Sequence, residues 1–213
     1  MVFTGDEFAD GGEIIADVLN ANNVKASFFL TGKFYETAAF TSIIQRLKND
    51  GHYLGAHSDK HLLYADWTNR DSLLVTRGQF RKDLRRNYKR MKSFGIKKDD
   101  AYYFLPPYEW YNKSISEWTS EMGLTLVNFS PGTRSAADYT YPGMSGYKTS
   151  DEIYNSIMSY EEQNVHGLNG FILLTHIGTD SRRSDKFYLK LDALIKELKS
   201  NGYMLIRINE LLE

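Results

Sequence analysis

The chain has 213 residues, with 26 Lys and Arg against 27 Asp and Glu, 42% hydrophobic residues, 14% aromatics and no cysteine. At this length roughly 70% of the unfolded chain's surface is buried on folding, so disordered, collagen-like and coiled-coil classes are excluded, and a net charge of −1 gives no global basic field for nucleic acid or an anionic membrane. Without thiols there are no disulfides, no thiolate metal sites and no Cys nucleophile, so any metal must be held by His, Asp or Glu. No run approaches the ~20 apolar residues of a membrane span, and the N-terminus lacks a signal-peptide pattern. One domain over residues 1–213 is expected. A core strand follows Met1 at once, so the chain reads as excised from a longer or exported precursor.

Taken in chain order, short apolar or β-branched runs at 2–4, 24–30, 52–56, 102–105, 124–129, 171–175 and 203–206 predict seven strands. Between them, helical patterns fall at 13–20, 40–49, 71–94, 113–122, 150–161 and 186–200. The last is the clearest: Leu189, Leu191, Leu194, Ile195 and Leu198 make its apolar stripe and Asn201-Gly202 stops it. Alternating strands and helices predict an α/β fold built on a parallel sheet or barrel. Residues 130–148, rich in Gly, Ser, Tyr and Pro, are too long for a plain connector and are expected to line a site. The 71–94 helix carries Arg77, Arg81, Lys82, Arg85, Arg86, Lys89 and Arg90. No groove or reading motif accompanies them, so they read as a solvated face, with neither nucleic acid nor membrane as partner.

In such folds chemistry sits at the C-terminal strand ends. Strand 1 ends at Asp6 and Glu7, strand 3 at His57 with His61 four residues on, strand 4 at Pro106-Pro107-Tyr108-Glu109, and strand 6 at His176. Two imidazoles at i and i+4 lie on one face of a helical turn and can grip a divalent cation, unless they are unrelated surface histidines. Such a site wants a third ligand. Asp6-Glu7 offers one carboxylate for metal and one for proton transfer, or else belongs to an acidic loop in which Asp10 caps the helix near Gly11. His176 suits a general acid or a buried core histidine. His52 and His166 read as structural or surface residues. Tyr35, Trp67, Trp110, Tyr111, Tyr139, Tyr141 and Tyr147 are candidates for an aromatic, ring-stacking rim.

Together these motifs resemble the polysaccharide deacetylase family, the NodB-homology domains of carbohydrate esterase family 4. Thr4-Gly5-Asp6-Glu7 is similar to the family's Thr-Phe-Asp-Asp, Val24 to Leu30 to its second strand, His57-Ser58-Asp59-Lys60-His61 to its His-Ser/Thr-x-x-His, Pro106-Pro107-Tyr108 to its Arg-Pro-Pro-Tyr, and Leu174-Thr175-His176 to its late Leu-x-His. The resemblance implies a distorted, incomplete (β/α)7-type barrel and metal-dependent removal of acetyl groups from a carbohydrate. It makes Asp6 the base, Glu7, His57 and His61 the metal ligands, the Tyr108 N–H an oxyanion donor and His176 the acid. The implied cofactor is a divalent metal, zinc first, with cobalt, nickel or manganese as alternatives. The implied partner is an acetylated carbohydrate, and the implied location is periplasmic, cell-surface or secreted. The chain departs from the family in three places. Leu105 replaces the Arg that orients the base, Glu7 replaces an Asp, and 128–132 replace the fourth motif, for which Asp138, Arg134 or Asp180 could substitute. Two other readings follow from these departures: a non-catalytic carbohydrate-binding pseudoenzyme, and a hydrolase of cyclic amides on the same fold.

Overall fold

The computed structural model describes residues 1–213. Six strands form one parallel sheet: β1 (Val2–Gly5), β2 (Ser27–Leu30), β3 (Tyr53–Ala56), β4 (Tyr103–Phe104), β5 (Thr125–Leu126) and β6 (Leu174–His176), in the order β5-β4-β3-β2-β1-β6. Registers such as Phe3 with Phe28 and Phe28 with Leu54 place apolar residues side by side across the central strands. These strands are buried along their whole length, as expected of parallel strands covered on both faces. The sheet curls into an open barrel. Between its outer strands, Ser130 N donates to the Ile172 carbonyl and Ile172 N to Ser130 Oγ, each at 3.0 Å, so an irregular segment closes the gap.

Helices α1 (Gly12–Ala21), α2 (Gly32–Glu36), α3 (Thr41–Asn49), α4 (Arg77–Ser93), α5 (Lys113–Glu121), α6 (Ser150–Gln163), α7 (Leu191–Ser200) and α8 (Ile208–Leu211) surround the sheet. Most cover it with one apolar face, as Ile43, Ile44 and Leu47 do on α3. α4 turns Phe80, Asp83, Leu84, Asn87 and Met91 inward at helical spacing. Its outer face carries Arg81, Lys82, Arg85, Arg86 and Lys89, the basic surface expected from the sequence.

Several predicted elements need correction. Residues 203–206 form no strand: Arg207 Nη1 donates to the Gly51 carbonyl and Ile208 N to Ser27 Oγ, so this segment crosses the N-terminal ends of β2 and β3 rather than lying beside them. The barrel therefore has six strands, not seven. α4 starts at Arg77, where Thr76 and Gln79 form a capping box; residues 71–76 form a turn instead of helix. The 186–200 helix opens with a 3₁₀ turn at Phe187–Lys190. Finally, α2 and α8 form where the sequence predicts no helix; Thr31 caps α2, its Oγ1 accepting from Phe34 N at 3.1 Å.

Phe28 anchors the centre, stacked on Phe3 at 4.9 Å between ring centroids and edge-on to His52 at 5.3 Å. Phe28→Ala is expected to lower unfolding free energy by about 3–5 kcal/mol, read from urea denaturation.

Candidate active site

The C-terminal ends of β1, β3, β4 and β6 open into a cavity of about 390 Å³, and Asp6, Glu7, His57, His61, Tyr108 and His176 all line it. The fold thus gathers these six candidate residues into one site, from strands that meet only through the parallel topology.

The histidine pair is not held on a helical turn. Residues 57–61 form an irregular loop in which Ser58 (φ 74°) and His61 (φ 54°) take the left-handed conformation, disfavoured for residues with a Cβ. Surrounding hydrogen bonds impose it. From the inward face of α4, Asp83 accepts from Ser58 Oγ at 2.7 Å, Asp59 N at 3.0 Å, Lys60 N at 3.2 Å and Tyr64 Oη at 2.9 Å. One turn on, Asn87 Oδ1 accepts from His57 N at 3.0 Å while its Nδ2 donates to the Leu30 carbonyl. His57 Nδ1 lies 2.7 Å from the Leu105 carbonyl, which can only accept, so Nδ1 carries the proton and Nε2 keeps its lone pair. The two rings sit 5.1 Å apart. Burial pushes His57 well below its usual pKa, and the neighbouring His61 adds to the shift. Burial also lowers His61, with Asp6 opposing. Both are neutral imidazoles near pH 7, the form that ligates a cation.

The carboxylates have other partners. Asp6 Oδ1 accepts from Thr31 Oγ1 at 2.8 Å, and Lys33 Nζ lies 3.5 Å from Asp6 Oδ2 and 3.2 Å from Glu7 Oε1. The Glu7 side chain is 62% exposed, and no three His, Asp or Glu side chains converge as a metal-holding group. The imidazole pair therefore suits a divalent cation, whereas Glu7 completes a triad only by leaving Lys33. Asp10 does not cap α1. It accepts from Thr179 N at 2.7 Å and pairs with Lys186 at 2.8 Å, fastening the loop after β6.

Across the cavity, His176 Nδ1 lies 2.6 Å from Asp138 Oδ1, and His176 N donates to Asp138 Oδ2 at 2.8 Å. Of the three substitutes the sequence left open, the fold selects Asp138; Asp180 pairs with Arg182 instead. Burial alone would lower the His176 pKa, but Asp138 outweighs it and holds the pKa above the usual value. At the end of β4, Tyr108 (φ 60°) and Glu109 (φ 53°) are both left-handed. In that turn Glu109 N donates to the Pro106 carbonyl and Trp110 N to the Pro107 carbonyl, while the Tyr108 N–H is not used in a backbone hydrogen bond. The Asn128 amide fixes the turn through the Glu109 carbonyl at 2.8 Å.

Glu109 had no assigned role in the sequence, although it stands at a strand end. Its carboxyl lines the cavity, and burial pushes its pKa up to about 7 against the pull of His176. Of the aromatic rim, Trp67, Tyr139 and Tyr141 do line the cavity, joined by Tyr108. Tyr35 is packed in the core instead.

Fold and site together define a class: an open parallel barrel with paired carboxylates, a histidine pair and a carboxylate-supported histidine at its strand ends. The chain belongs to the polysaccharide deacetylase family, whose profile matches residues 7–127. It is 26% identical over 203 residues to a peptidoglycan-N-acetylglucosamine deacetylase of Bacillus cereus, covering 92% of this chain and 62% of that protein. Among solved structures, it superimposes on a CE4 family pseudoenzyme from Bacillus anthracis with a TM-score of 0.76 at 18% identity, covering 100% of this chain and 64% of the other. It also superimposes on a family 4 acetyl xylan esterase from Clostridium thermocellum in complex with a cobalt ion, with a TM-score of 0.74 at 22% identity, covering 99% and 87%. These superpositions bear on the fold, which is the distorted barrel expected.

Asp83→Ala would leave the Asp59 and Lys60 amides without their acceptor. The expected cost is at least about 2 kcal/mol in urea unfolding, with faster amide exchange at residues 59 and 60 as the local signature.

Proposed function

We propose that the protein is a metal-dependent hydrolase that removes acetyl groups from a carbohydrate, N-acetyl first and O-acetyl with the same parts. The observation that carries this reading is the placement of the His176–Asp138 pair in one cavity with Asp6 and two neutral imidazoles. His57, His61 and, once freed from Lys33, Glu7 would hold the ion, zinc in the first instance. Bound there, a divalent cation supplies Lewis acidity toward water and the acyl oxygen.

The chain's own groups do the rest. Asp6 takes a proton from the attacking water as its oxygen bonds to the acetyl carbon. The Tyr108 N–H donates to the oxygen that gains charge. His176, kept protonated by Asp138, gives its proton to the sugar nitrogen as the C–N bond breaks, leaving a free amine and acetate. Trp67, Tyr108 and Tyr139, each partly exposed at the cavity, offer stacking faces for sugar rings.

A second reading, a non-catalytic carbohydrate binder, is favoured by one observation: Lys33 engages Glu7 and the metal triad is not closed. Metal content by mass spectrometry and acetate release from N- and O-acetylated sugar oligomers separate the two. The hydrolase binds about one ion per chain and releases acetate; the binder takes up ion or sugar with no release.

Two variants check the assignment. His57→Ala is expected to lower acetate release at least about 10³-fold, a loss of several kcal/mol of metal-derived stabilisation, with loss of the bound ion; retention of either would reject the ligand set. Asp138→Asn tests the acid. His176 must be protonated, so the rate falls as pH rises through its raised pKa. Removing the carboxylate leaves burial to lower that pKa, so the alkaline limb of kcat moves to lower pH, with a loss of roughly 10²–10⁴-fold. An unmoved limb would remove His176 as the acid.

A further inference from the structure

Asp6 and Glu7 bring two carboxylates to one cavity wall, where like charges repel unless a cation lies between them. Lys33 lies there, 3.5 Å from Asp6 Oδ2 and 3.2 Å from Glu7 Oε1, and no other cation forms an ion pair with either residue. Two positions earlier, Thr31 Oγ1 donates to Asp6 Oδ1 at 2.8 Å, so both oxygens of Asp6 are engaged from one turn of chain.

That turn is itself fixed to both halves of the site. Thr31 N donates to the Gly5 carbonyl at 3.0 Å, Gly32 N to the Ser58 carbonyl at 2.9 Å and Lys33 N to the Asp59 carbonyl at 3.1 Å. Gly32 is required for this approach, because a Cβ there would clash with Asp59 Oδ1. The segment carrying Lys33 is thus hydrogen-bonded to the end of β1 and to the histidine loop. At the end of β4, Leu105 is apolar and fully buried and offers Asp6 no cation.

We propose that Lys33 is a positioning residue: with Thr31 it holds Asp6 in the orientation of the base, and it competes with a cation for Glu7. The inference rests on the hydrolase reading. Its test compares Lys33→Met and Lys33→Arg with the wild type in steady-state acetate release, and in zinc titration of chelator-treated protein by calorimetry.

Lys33→Met is expected to lower kcat roughly 10–100-fold, the scale for misplacing a reacting group by about 1 Å, with KM changed less than about twofold, since uniform binding is untouched. Its zinc affinity should equal or exceed that of the wild type, because the competing ammonium is gone, and Lys33→Arg should recover most of kcat. A kcat for Lys33→Met within about twofold of wild type, in a protein that His57→Ala inactivates, overturns this inference alone. A lost kcat with weakened zinc binding also overturns it, because Lys33 would then support the site only structurally. No acetate release from the wild type overturns the hydrolase reading and this inference with it.

Discussion

Asp83 reaches from the inward face of α4 into the loop after β3, and four donors converge on its two oxygens. A buried carboxylate is costly unless its lone pairs are satisfied, and here the satisfying groups are the backbone and side chains of the histidine loop. The loop cannot relax without orphaning that charge. This coupling makes left-handed backbone tolerable at Ser58 and His61, and those two residues set where the imidazoles stand. Asn87, one helical turn along, extends the arrangement to His57 N and the Leu30 carbonyl, so α4 registers the histidine loop against β2.

Strain is concentrated where the polar groups meet. Five non-glycine residues have positive φ, and four of them, Ser58, His61, Tyr108 and Glu109, lie in or beside the cavity. Each is over-determined by neighbours: the histidine loop by Asp83, the diproline turn by the Asn128 amide on the Glu109 carbonyl. Rigid elements thus hold a backbone that would not adopt this course alone, which is the arrangement expected of a preorganised site.

How much of this the sequence revealed depended on whether the signal was local. The strand-end residues were legible because each lies within a few positions of an apolar run, and a parallel fold must bring those ends together. The closing contact Asp138 was legible only as one of three candidates, because a 38-residue separation from His176 through an irregular segment leaves no periodicity to choose among them. Thr31 and Lys33 were hidden at the start of a five-residue helix too short to show an amphipathic pattern, the first as its cap. Asp83 did leave a trace: it falls on the same face as Phe80, Leu84, Asn87 and Met91. A carboxylate on an apolar stripe signals a buried acceptor, but the basic outer face of the helix drew the reading outward. The false strand at 203–206 has a related origin. An apolar run reads as a paired strand, but 203–206 is only half-buried, with Met204 exposed, and lies across the barrel's N-terminal end, where residues 207 and 208 fasten it to Gly51 and Ser27.

The charge of the cavity narrows what it can hold. Asp6, Glu7 and Asp138 contribute three carboxylates, against the ammonium of Lys33 and an imidazolium at His176, while His57 and His61 are neutral. The surplus is negative, and it grows as Glu109 ionises near pH 7. A divalent cation between the imidazoles would offset that surplus, so the charge balance favours a cation even where Glu7 is engaged elsewhere. The same field disfavours anions at the strand ends. On the proposed reading, the two positive charges of the ion would more than cancel that surplus, so a neutral acetamide would enter without electrostatic cost, while the acetate formed would be attracted to the ion and repelled by Asp6 and Glu7.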